Sequence, residues 1–103
     1  MTSGLGIVIT FGLMNDEQKE RVRQSLNHVH KWPSLYMFKF IVPTVSGAFE
    51  ELTKIFPEDI DMLTKQSKTG KFTSITIKEV LMSSDQVFER YAEVYKIEGV
   101  ISL

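Results

Sequence analysis

Seven residues, Tyr36-Met37-Phe38-Lys39-Phe40-Ile41-Val42, lie between Pro33 and Pro43. Side chains alternate across an extended chain, so Tyr36, Phe38, Phe40 and Val42 share one face, and Met37, Lys39 and Ile41 share the other. The prolines bound the strand at both ends, because proline has no N–H to give and restricts the residue before it. An aromatic face of this kind must be covered by a second layer. The next segment supplies it. Val45, Ala48, Phe49, Leu52, Ile55 and Phe56 recur at steps of three and four, the pattern of an amphipathic helix, and Pro57 closes that helix.

The remaining elements follow by the same logic. Ile60 to Gln66 and Phe72 to Met82 read as two strands around the turn Ser67-Lys68-Thr69-Gly70-Lys71. Gly70 is expected to supply the positive φ such a turn needs. Ser83 and Gln86 have capping-box spacing and open a helix. Val87, Phe88, Tyr91, Val94 and Tyr95 are expected on its apolar side, Gly99 ends it, and Val100 to Leu103 form a last short strand. From Tyr36 onward the order is βαββαβ, a ferredoxin-like α+β sandwich. Right-handed crossovers then place both helices on one face of a four-stranded antiparallel sheet. Phe38, Phe40, Val42, Ile75 and Ile77 are expected to face the helices. Met37, Lys39, Ile41, Phe72, Ser74, Thr76 and Lys78 are expected on the open face. A further helix, from Asp16 to about Lys31, precedes the sandwich. Its stripe of Val22, Leu26 and Val29 is narrow, so it should dock by one edge.

At 103 residues the chain holds one core. A net charge of −1 gives no general attraction to nucleic acid or membranes. The absence of cysteine excludes disulfides, thiolate catalysis and cysteine-ligated zinc, and fits a reducing cytoplasm. Leu5 to Leu13 is apolar but far short of the roughly 20 residues of a membrane helix. It follows no basic residue and has no cleavage-like site, unlike a secretory signal. Met14-Asn15-Asp16-Glu17 reads as a start followed by a helix. Residues 1–13 are therefore expected to be an upstream extension, with an extra edge strand as the rival. Residues 14–34 form the N-terminal helix, and 35–103 the ferredoxin-like domain.

Trp32-Pro33, Tyr36 to Pro43, Lys65 to Thr76 and Glu98 to Leu103 together resemble the YbeD-like family of small uncharacterised bacterial proteins. The resemblance covers about residues 16–103, and the Lys-x-Ser-x-x-Gly-Lys-Phe-x-Ser hairpin is its most specific part. It implies a ferredoxin-like fold similar to ACT-type regulatory domains. It implies no activity and no catalytic residues. The segment 1–13 departs from the family pattern.

The chemistry visible in the sequence centres on lysines. Met62 to Lys78 contains Lys65, Lys68, Lys71 and Lys78 and no carboxylate. With Gly70 and Lys39 they form a candidate site for an anion or an acidic partner. A solvated hairpin whose lysines discourage edge pairing accounts for the same residues. Thr69-Gly70-Lys71 is not a P-loop, because Lys65 and Phe72 occupy positions that need Gly and Ser or Thr. Lys39 and Lys78, beside Ser74 and Thr76, could hold a carboxylate or phosphate on the open face. An RNA-binding sheet displays aromatic residues on its central strands. Here Tyr36, Phe38 and Phe40 point inward, so nucleic acid is not the expected ligand. His28 and His30 point to different helix faces and form no metal pair. Glu58, Asp59 and Asp61 read as a solvated acidic turn. Trp32 is expected to anchor the first helix. No nucleophile–base pair and no cofactor motif is present.

The expectation is a non-catalytic binding or regulatory module, ACT-like, sensing a small metabolite or docking a protein. The alternative is an adaptor that holds an acidic protein or nucleic acid through the Lys65–Lys71 hairpin. Self-association as a homodimer is expected through the open face or an edge strand, unless the Val22–Leu26–Val29 stripe covers that face.

Overall fold

Asn15 begins the described part of the computed structural model, which covers residues 15–102. The expected extension at 1–13 lies outside the described residues. The Asn15 side chain accepts from the Gln18 N–H, and the Gln18 side chain accepts from the Asn15 N–H. This reciprocal box satisfies two free donors and opens helix α1, Asp16–Val29. Strand β1, Ser34–Pro43, follows, then helix α2, Ala48–Ile55, strand β2, Asp61–Gln66, and strand β3, Phe72–Leu81. Helix α3, Ser84–Tyr95, and strand β4, Ile101–Ser102, are the last elements of the described residues.

The sheet is antiparallel with strand order β2-β3-β1-β4, the ferredoxin-like arrangement. Strand β1 carries the alternation read from the sequence. Phe38, Phe40 and Val42 are fully buried, and they meet Ile75 and Ile77 of β3 with Leu52, Phe56, Val87, Tyr91 and Val94 from the helix side. The rings interlock, with Phe38 packed against Phe40, Phe56 and Tyr91 at centroid distances of 5.3–5.8 Å. Burying aromatic and branched side chains from both layers is the main source of stability in a domain of this size.

Two glycines sit where the backbone requires them. Gly70 has φ 74° in the β2–β3 turn, and its N–H donates to the Ser67 carbonyl. Gly99 has φ 90°, and a Cβ there would meet the Pro43 ring at 3.5 Å. Both conformations are unfavourable for residues with a side chain.

Two expectations need correction, and one alternative falls away. Val45 is 97% exposed and lies before α2 rather than in it. The Ser46 hydroxyl donates to the Pro43 carbonyl and accepts from the Ala48 N–H, so a turn takes these residues and delays the helix. Tyr95 is exposed, because Ile97 and Val100 take the core positions at the end of α3. The stripe on α1 does not cover the open sheet face. Helix α1 packs against α3, on the helix side of the sheet. Val22 and Leu26 reach the core there, while Val29 is 72% exposed. Arg23 fixes this placement, with its guanidinium bonded to Asp85 and lying 5.0 Å from the centre of the Phe88 ring. Trp32 anchors the end of α1 as expected. Its ring stacks on His30, and its Nε1 donates to the Asn27 side chain.

Candidate functional site

Strand alternation generates the candidate surface. Residues paired across β1 and β3 share a face, so the register lays out the open side in rows. Asp61, Lys78 and Met37 form one row, Leu63, Thr76 and Lys39 the next, and Lys65, Ser74 and Ile41 the third. Ile101 of β4 extends the third row. Leu35 opposite Val80 and Pro43 opposite Phe72 lie at the two ends. The result is a lysine-bearing centre flanked by apolar ends. Leu63 is 69% exposed and Met37 57%, and Leu35, Val80, Phe72 and Ile101 are also exposed.

The predicted lysines divide into two groups. Lys39, Lys65 and Lys78 come together on the open face. Lys39 is opposite Thr76 and Lys78 opposite Met37, so the two lysines are diagonal neighbours. Lys68 and Lys71, with Gly70, lie in the turn at the end of β2 and β3. The turn is shaped by its own polar groups. Ser67 donates its N–H to the Phe72 carbonyl, and its hydroxyl accepts from the Phe72 N–H. Among the described residues, none of these five lysines forms an ion pair. Glu79, next to Lys78 in β3, points inward and belongs to Arg90. Asp61, expected in an acidic turn, is the first residue of β2 and is paired in register with Lys78.

The buried polar groups were not visible in the sequence. Glu79 is buried on the core face of β3, and Arg90 of α3 grips it through Nε at 3.0 Å and Nη2 at 2.5 Å. The same guanidinium donates to the Ile55 carbonyl at 2.7 Å, satisfying a free acceptor at the end of α2, and lies 5.0 Å from the centre of the Phe56 ring. One side chain thus ties β3, α2 and α3 together. Deeper in the core the Tyr36 and Tyr91 hydroxyls are 3.2 Å apart. Burial raises the pKa of both phenols, and at Tyr91 the neighbouring Tyr36 raises it further. A phenol so placed stays protonated and acts as a structural hydrogen-bonding group. The spacing of Glu79 and Arg90 gives no hint of their contact, since it depends on how α3 crosses the sheet.

A groove of about 540 Å³ opens beside the edge strand β2, lined by Lys54, Phe56, Pro57, Glu58, Ile60 and Met62. Its volume is within the range of ligand sites. Its charged residues, Lys54 and Glu58, are exposed, and Thr53 adds a half-buried hydroxyl. No described helix is long and apolar enough to cross a membrane.

A curated relative, a UPF0250 protein from Shewanella halifaxensis (strain HAW-EB4), is 27% identical over 74 residues, which is 68% of this chain and 84% of the relative. No solved structure matches the chain. A family model described as "Protein of unknown function (DUF493)" matches residues 27–103, which takes in the whole sandwich but only the end of α1. With the family model covering most of its length, the chain belongs to the DUF493 family, consistent with its resemblance to the YbeD-like proteins.

Proposed function

We propose that the domain is a non-catalytic binding module whose open sheet face docks a protein segment bearing apolar and acidic side chains. The observation that carries this reading is the pattern of the open face: apolar ends around Lys39, Lys65 and Lys78, which have no ion-pair partner among the described residues. Apolar contacts supply affinity and unpaired cations supply orientation and rate of encounter. Protein fits the surface better than RNA. The open face offers one aromatic ring, Phe72, at the end of β3, where an RNA platform needs stacking residues on the central strands. A regulatory role of the ACT kind would act through the same face or through the groove beside Ile60 and Met62.

The adaptor reading retains a specific observation in its favour, since Lys68 and Lys71 project from a turn that keeps its own polar groups satisfied. One experiment separates the two. Wild type, Lys39→Glu/Leu63→Glu and Lys68→Glu/Lys71→Glu are immobilised and exposed to native lysate, then eluted with salt, and proteins and metabolites are identified. The open-face reading expects partners to be lost only with the first variant. Loss only with the second supports the hairpin adaptor. A partner that both variants retain overturns both.

A further inference from the structure

We infer that β2 is the seam of a symmetric homodimer, centred on Leu63, in which Asp61 of each copy meets Lys65 of the other. This goes beyond the binding reading above and does not depend on it.

The inference begins with the direction of the backbone groups of β2. The Ser67 N–H donates to the carbonyl of Phe72, its register partner, so that pair is hydrogen-bonded within the hairpin. Antiparallel ladders alternate between bonded and non-bonded pairs. Lys65, Leu63 and Asp61 therefore bond inward to β3, and Met62, Thr64 and Gln66 turn their N–H and C=O groups to the outer edge. Strand β2 is the last strand on its side, and among the described residues nothing pairs with that edge. It contains no proline and no bulge, two of the devices that blunt an edge, and its one lysine, Lys65, is balanced by Asp61 of the same strand.

A twofold axis can pass through several residues of such an edge, and the side chains discriminate between them. Centring on Leu63 pairs Met62 with Thr64 of the second copy, so two of the three outward-facing residues find backbone partners and Gln66 lies beyond the end of the pairing. On the open face the same register sets Leu63 against Leu63 and Asp61 against Lys65, twice by symmetry. Leu63 is 69% exposed, and neither Asp61 nor Lys65 has an ion-pair partner among the described residues. Centring on Thr64 sets Leu63 against Lys65, and centring on Met62 sets it against Asp61. Centring on Lys65 or Asp61 opposes like charges, which is destabilising directly across a strand pair. Centring on Thr64 pairs all three outward-facing residues but forfeits the opposite-charge and Leu63 contacts, so the Leu63 register is the one that joins charge, apolar contact and backbone pairing. Two four-stranded sheets would then join into one of eight strands, with the lysine-bearing faces continuous. A single strand pair buries less than a standard interface, so association in the micromolar range is expected.

Sedimentation of the full chain over tens to hundreds of micromolar tests this. Asp61→Lys and Lys65→Glu should each weaken self-association by about tenfold or more, since each converts two attractive pairs into repulsive ones. Mixing the two variants should restore dimers. The lysine introduced at position 61 of one copy then faces the glutamate introduced at position 65 of the other, and the unchanged Lys65 of the first faces the unchanged Asp61 of the second. Thr64→Pro removes an outward N–H and no internal bond, so it should give a monomer with an unchanged circular dichroism spectrum. Wild type that stays monomeric over this range, or dimers indifferent to every one of these changes, overturns the inference. So does a mixture of the two charge variants that remains monomeric. Partner capture by the open face is read separately and survives any of these failures.

Discussion

Replacing Arg90 with methionine should destabilise the domain far more than its partly exposed position implies. The guanidinium makes two bonds to Glu79, one to the Ile55 carbonyl, and a ring contact with Phe56. Methionine keeps much of the stem and its apolar packing, so the loss is chiefly polar. The Glu79 side chain is 9% exposed against 26% for Arg90. Removing the cation leaves a buried carboxylate without a counter-charge, which typically costs about 3–5 kcal/mol. An exposed ion pair would cost about 0–1 kcal/mol. The two cases separate clearly in urea, where a domain of this size has a slope of about 1 kcal/mol per molar, so a buried pair shifts the midpoint by several molar. Glu79→Leu should cost less, because the freed guanidinium can turn toward water while keeping its bond to Ile55. Glu79→Leu/Arg90→Met should recover much of the loss, as replacing both members of a buried pair with apolar groups is often near neutral. An Arg90→Met midpoint within about 1 M of wild type, a loss of about 1 kcal/mol or less, would refute the argument that this pair is buried and structural. So would a double variant no better than the single one.

Three further outcomes are expected. Phe40→Ala should cost about 3–5 kcal/mol, whereas Ile41→Ala, its neighbour on the open face, should cost under about 1 kcal/mol in the same urea titration; equal losses would mean the faces of β1 are misassigned. Stability should fall as pH rises above about 10, because unfolded tyrosines ionise there while Tyr36 and Tyr91, with raised pKa values, remain protonated in the fold; Tyr91→Phe should flatten that decline, and a profile identical to wild type would sink the account. Asn15→Ala should lower the protection of the first-turn amides of α1 in hydrogen exchange, by about 1 kcal/mol, and leave the β1 and β3 amides unchanged; a loss throughout the sheet would show that α1 is part of the central cooperative unit.

The sequence by itself determined the elements and their order, since strand and helix periodicity are local. Alternation from Tyr36 to Val42, the prolines at 33, 43 and 57, and glycines at 70 and 99 were sufficient to read βαββαβ, and the buried face of β1 follows the parity of its residues. Where local reasoning failed, a competing local bond decided, as when Ser46 holds residues 44–47 in a turn and leaves Val45 outside the helix. The candidate surface was half legible. Parity placed Lys39 and Lys78 on the open face, but joining them to Lys65, Leu63 and Asp61 required the register of β2 against β3. Only the tertiary structure decided that α1 lies on α3 and leaves the sheet open, and that Glu79 belongs to Arg90 rather than to a lysine. Those outcomes depend on how helices cross the sheet and which charges they bring together. Such contacts join residues distant in sequence, through geometry that no local pattern encodes.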